Sequence, residues 1–239
     1  MVSATYAELA DMRRAAARLA GLRTGMCAED LAFGENRVMT AAWAEFSREV
    51  FGEPYLVWHD GADFRPLLSR WQDQAGLVGE MLRLGLSGGD PVAAQAISYL
   101  ARSGAGVNEF GGPLREALPQ ARGTFRVRVA QALFVLTGDQ KFAAPVCDVL
   151  TGDGFWGEKI DAAIALSAFA PAAAVVKALI QGVQDDEYLV RRHSAQTLLA
   201  LAGRRTTIEK VPGLWAKIRS DQSLAWREAG AELARPWTG

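Results

Sequence analysis

Arg126-Val-Arg-Val-Ala-Gln-Ala-Leu-Phe-Val-Leu-Thr-Gly138 and Arg191-Arg-His-Ser-Ala-Gln-Thr-Leu-Leu-Ala-Leu-Ala-Gly203 are two copies of one pattern, 65 residues apart. Arg, Ala, Gln, Leu, Leu and Gly coincide between them. Half that offset uncovers a third copy: Lys159, Ala163, Leu166 and Phe169 stand where Arg126, Ala130, Leu133 and Leu136 stand. Upstream, Ala94-Gln95-Ala96-Ile97 and Leu100 repeat Ala130-Gln131-Ala132-Leu133 and Leu136. Downstream, Trp226-Arg227-Glu228-Ala229-Gly230-Ala231 is a weaker fifth copy. The apolar residues recur at spacings of three and four, the period of a helix with one buried face.

Each copy follows another helical run, at about 72–86, 113–122, 141–151, 172–183 and 211–220. Gly- or Asp-rich turns join the pairs, as in Gly88-Gly89-Asp90, Asp153-Gly154 and Asp185-Asp186. One unit is therefore helix, turn, helix, in about 32–36 residues. A unit of that size cannot bury its apolar face alone, and stacking the neighbours gives a continuous core.

Three segments carry a family resemblance. Ala144-Pro145-Val146 and Val211-Pro212-Gly213-Leu214 open first helices, and Asp185-Asp-Glu-Tyr-Leu-Val190-Arg191-Arg-His-Ser-Ala195 supplies a turn and a second helix. In these features the chain resembles the HEAT-repeat family over roughly residues 70–235. The resemblance implies an all-α fold: an α-solenoid of about five helical hairpins whose second helices line a concave side. It says little about function, because function lives in sites grafted on a fold.

The N-terminal part lies outside the repeat. Thr5-Tyr6-Ala7-Glu8 reads as a capping box, and Leu9, Met12, Ala16 and Leu19 make one apolar stripe that Gly21 ends. A second helix is predicted over about 36–51, with Val38, Ala42, Phe46 and Val50 on one face. Residues 53–66 read as a loop in which Tyr55-Leu56-Val57-Trp58 is a candidate extended segment. Residues 1–70 are thus expected to form an N-terminal helical cap, and 71–239 the repeat array, in one continuous domain.

Composition narrows the function classes. Half the residues are hydrophobic and the net charge is −1, so a disordered chain or a general polyanion binder is not indicated. Residues 190–239 hold nine Lys and Arg against four Asp and Glu, a modest basic excess. It is weaker than the footprint of a nucleic-acid-binding face. Two cysteines, Cys27 and Cys147, make no disulfide framework; that points to a cytoplasmic protein. No secretory signal is legible, and no apolar run approaches membrane-spanning length, so a membrane partner is not expected.

Chemical motifs are few. Gly152-Asp-Gly154-Phe-Trp-Gly157 has the spacing of a dinucleotide fingerprint, but that motif must follow a strand, and here it follows a helix. The glycines are read as turn residues and no cofactor is expected. The Asp residues of the turns and Arg126, Lys159 and Arg191 are read as a structural ladder, Asp capping helices and the cation reaching a neighbouring turn. His59 and His193 are the only histidines, and no Cys/His spacing suggests zinc. No Ser/His/Asp set or nucleophile elbow stands out. Among seven tryptophans, Trp43, Trp71 and Trp215 fall on helical faces and are expected in the core. Trp156 and Tyr188 occupy equivalent turn positions; they form either an aromatic edge for a partner or turn-on-turn packing.

The favoured reading is a non-catalytic protein-binding scaffold, in a form such as an immunity or adaptor protein. Its binding strip follows from helical spacing. Ala130, Leu133 and Thr137 share one face of their helix, and Arg128, Gln131 and Val135 the opposite one. The repeat offset carries the strip to Asp161, Ile164 and Ala168, then to His193, Gln196 and Ala200. The alternative is a HEAT-like enzyme. HEAT-like alkyl-purine DNA glycosylases carry a Trp-Trp-Asp constellation; the nearest match here, Phe155-Trp156-Gly157, lacks the Asp, and the overall charge does not favour gripping phosphates. HEAT-like chromophore-lyase subunits share only the repeat.

Overall fold

Alanine and leucine are the commonest residues of the chain, and both lose little freedom in a helix. The computed structural model describes residues 41–53, 57 and 61–237, and among them every regular element is a helix and none is a strand. The predicted first helix and its capping box lie outside the described residues. So does the candidate extended segment, apart from Val57, which is helical. The chain divides into two compact units, Met1–Gly88 and Gly89–Gly239.

In the first unit, α1 covers residues 41–51 and α2 covers Arg65–Ser87. Of the face its spacing predicts for α1, Phe46 and Val50 are buried, Ala42 is half-buried and Val38 lies outside the described residues; Trp43 and Phe51 are buried beside them. Their rings pack together, Trp43 on Phe46 at 5.8 Å and Phe51 on Phe64 at 5.3 Å between centroids. Arg70 of α2 pairs with Glu49 of α1. Pro66 suits the first turn of α2, where no N–H is needed. The helix is interrupted at Gln74, whose φ of −143° and ψ of 46° are not helical. Trp71 is half-buried there, less enclosed than its helical spacing implies.

The second unit holds α3 (Pro91–Arg102), α4 (Gly111–Ala117), α5 (Gly123–Thr137), α6 (Ala143–Thr151), α7 (Trp156–Ala165), α8 (Ala173–Gly182), α9 (Tyr188–Leu201), α10 (Pro212–Arg219) and α11 (Ser223–Ala234). Helix α4 packs on α5, α6 on α7, α8 on α9 and α10 on α11. The second member of each pair also meets the next: α3 packs on α5, α5 on α7, α7 on α9 and α9 on α11. The last pair departs from the others, because α11 also packs on α8.

Repeat positions explain this packing. Ala94, Ala130, Ala163, Ala195 and Gly230 are equivalent, and all are buried. A small side chain there lets neighbouring helices approach closely. Three residues on, Ile97, Leu133, Leu166, Leu198 and Leu233 fill the space so created, and all are buried too. Each such side chain stabilises the fold by about 1.5–3 kcal/mol relative to leaving it in water. Gly138 and Gly203, the last residues of the quoted copies, have φ of 69° and 72°. Only glycine takes that left-handed turn without strain, and it ends α5 and α9. The exception is α7, which ends at Ala165; Ala168, expected on its exposed face, lies in a short 3₁₀ turn over Leu166–Ala168.

Candidate functional site

Of the expected ladder only Lys159 reaches a turn acid; Arg126 pairs with a residue inside α6, and α5, α7 and α9 have no side-chain cap. Arg126 bonds Asp148 at 2.8 Å, and Lys159 bonds Asp185 at 3.0 Å. Arg191 is 4% exposed and uses main-chain acceptors. Its Nη1 donates to the carbonyl oxygens of Asp185 and Asp186, both at 2.8 Å, and its Nε donates to Ile218 O at 3.0 Å. The guanidinium lies 4.1 Å from the ring centre of Trp226. Burial lowers the Arg191 pKa, while Asp185, Asp186, Asp221 and Glu187 oppose that shift and favour the charged form. One side chain thus ties the α8–α9 turn to the end of α10.

The opposite face of the same helices carries the strip. Arg128, Gln131 and Asp161 come together: Arg128 donates to Gln131 Oε1 at 2.9 Å and to Asp161 Oδ1 at 3.0 Å. Thr124 Oγ1 donates to Asp161 Oδ2 at 2.7 Å. These groups are half-buried, so their hydrogen bonds are less screened than on open surface. Val135 is half-buried, and Ile164, one turn beyond Asp161, is 45% exposed.

On α9 the strip residues face a loop. Gln196 clamps it from both ends of its amide, its Nε2 donating to Thr206 O at 3.1 Å and its Oε1 accepting from Ile208 N at 2.9 Å. Arg192 pairs with Glu209 at 2.7 Å, and His193 Nε2 lies 3.4 Å from Arg192 Nη1. Burial, then the Arg192 charge, pushes the His193 pKa below its ordinary value, which keeps the ring neutral at neutral pH. Gln196 and Ala200 border a recess of about 500 Å³ between α9 and this loop.

The two aromatic turn residues are not brought into contact with each other. Tyr188 packs on Trp215, with ring centroids 6.0 Å apart, and both are half-buried. Trp156 is exposed and packs on Phe155 at 4.8 Å, while Phe155 itself is 61% exposed. Sequence reading missed Phe155, Leu189 and Leu224 as exposed apolar groups. The signal was present in the repeat: Leu189 and Leu224 stand two residues before Arg191 and its counterpart Trp226, at the starts of α9 and α11.

The glycine motif links α6 to α7 without a strand. None of Gly152, Gly154 and Gly157 takes a left-handed φ. Space explains Gly152, where a Cβ would stand 2.9 Å from the main-chain oxygen of Asp148; at Gly154 and Gly157 it would meet only the side chains of Glu158 and Phe155, which can move aside. Cys147 is half-buried, and burial with the nearby Asp148 charge pushes its thiol up to about 11. Among the described residues no three His, Cys, Asp or Glu side chains group as metal ligands would, and no helix is long and apolar enough to cross a membrane. No protein-family model matches this chain, and neither a curated protein nor a solved structure does.

Proposed function

We propose that this chain is a HEAT-like α-solenoid of about five helical hairpins with an N-terminal helical cap, and that it serves as a non-catalytic scaffold for another protein. The observation that carries this reading is the placement of exposed apolar side chains. Phe155, Trp156, Ile164, Leu189 and Leu224 are the large hydrophobic residues left exposed among the described ones. All five lie on, or directly before, three successively packed second helices, α7, α9 and α11. Scattered single hydrophobics need no explanation, but a set confined to consecutive repeats, with Leu189 and Leu224 at equivalent positions, suits a contact surface. The mixed strip of Arg128, Gln131, Val135, Asp161, Ile164, His193 and Gln196 runs across second helices of the same set, α5, α7 and α9. Such a surface suits an adaptor or an immunity protein that grips one partner.

The test is Ile164→Asp, with affinity capture from the native host read against the wild-type chain. Ile164 is 45% exposed, so the variant should lose less than about 1 kcal/mol of stability. A captured partner should bind at least roughly 30-fold more weakly, as for a contact worth about 2 kcal/mol. Full retention of that partner by both Ile164→Asp and Trp156→Glu rejects this surface. Arg128→Glu is the poorer test, because it would set a second carboxylate beside Asp161.

A further inference from the structure

The recess between α9 and the loop after it is lined by positive charge alone. Arg204, Arg205 and Lys210 line it, and none of its lining residues is acidic. All three side chains are exposed, and none has an ion-pair partner among the described residues. On α5, α7 and α9 the other cations are engaged: Arg126 by Asp148, Arg128 by Asp161, Lys159 by Asp185, Arg192 by Glu209, and Arg191 by main-chain oxygens.

The loop is held in place, so the cations sit on a fixed frame. Gly203 turns the chain with φ of 72°, and Arg204 N donates to Leu199 O at 2.9 Å. Gln196 clamps Thr206 and Ile208, and the Ile208 side chain is fully buried. Glu209 points to Arg192 rather than into the recess, which leaves the lining positive. Cations positioned before a ligand arrives cost less ordering on binding.

We infer that this recess binds an acidic segment of a protein partner, its carboxylates meeting Arg204, Arg205 and Lys210. A volume of about 500 Å³ is roomy enough for two or three residues of an extended chain. Gln196 and Ala200 belong both to the recess wall and to the strip, so a chain lying on the strip can reach it. A polynucleotide would need unpaired cations along a track, and on α9 itself Arg191 and Arg192 are both engaged. The assignment of a protein ligand rests on the scaffold reading above.

The experiment uses the full chain and a fluorescein-labelled hexaglutamate peptide, followed by anisotropy. The peptide should bind saturably at about millimolar affinity or tighter, and binding should weaken with salt. Arg204→Ser/Arg205→Ser should weaken it about tenfold, as expected for two exposed charge pairs. Lys177→Ser, which removes an exposed cation on α8, should leave it unchanged. Absence of saturable binding overturns the inference, as does equal binding by the double variant. Inorganic phosphate competing as well as the peptide reduces the recess to a simple oxyanion site and also overturns it. So does tighter binding of a single-stranded oligothymidylate. The peptide assay needs no partner, so failure of the scaffold reading, scored with Ile164→Asp, is told apart from failure of the recess.

Discussion

Replacing Arg191 with leucine keeps an apolar stem of similar reach and removes the guanidinium. Three hydrogen bonds to main-chain oxygens of Asp185, Asp186 and Ile218 are lost, together with the stacking on Trp226. A hydrogen bond from a charged donor contributes about 1.5–3 kcal/mol net, but bonds that share one side chain do not add. Removing one member of a buried charged network costs about 3–5 kcal/mol, and that is the expected loss. For a chain of this size each kcal/mol lowers Tm by about 2–4 °C, so the shift should be roughly 6–20 °C. Arg191→Lys separates charge from geometry. A lysine keeps the positive charge but cannot fork to three acceptors on two segments, so it should recover less than half of the loss. Urea unfolding followed by far-ultraviolet circular dichroism measures both variants. A loss under about 1 kcal/mol for Arg191→Leu, or full recovery by lysine, would refute the claim that this fork joins the α8–α9 turn to α10.

Two further outcomes follow from packing and titration. A Cβ on Gly182 would overlap Ser194 Oγ and stand 3.1 Å from Ser194 Cβ and 3.2 Å from Leu150 Cδ1, so Gly182→Ala should destabilise by about 1–3 kcal/mol. Adding Ser194→Ala removes both the overlap and a buried hydroxyl without a partner, and should restore part of the stability; no restoration places the strain elsewhere. Cys147 has its thiol pushed up to about 11, so its reactive thiolate is scarce at neutral pH. In a Cys27→Ser background its alkylation should be slow at pH 7 and rise about tenfold per pH unit to near pH 11; a plateau near pH 9 contradicts the burial argument.

Helix content and unit length could be read from the chain alone, because both rest on local chemistry. Ala130, Leu133 and Gly138, with their counterparts Ala195, Leu198 and Gly203, state a helix, its buried face and its end within thirteen residues. The ladder was legible only in part: Lys159 meets the turn acid Asp185, but Arg126 meets Asp148 inside α6 and Arg191 meets main-chain oxygens. The strip was only half legible. Helical spacing separates Arg128, Gln131 and Asp161 from the core residues, yet their joining into one network depends on the distance between α5 and α7. Gln196 shows the limit most plainly. Its position on an exposed face suggests a group free to bind, but both ends of its amide are taken by a loop ten and twelve residues on. The same holds for the turn aromatics. Tyr188 and Trp156 are equivalent in sequence, and only the arrival of Trp215 beside one of them decides which is packed and which is exposed. Periodicity and turn chemistry are properties of a segment and its near neighbours. Which polar group is satisfied, and which cation is left unpaired at Arg204, Arg205 and Lys210, is a property of segments that meet only when the chain has folded.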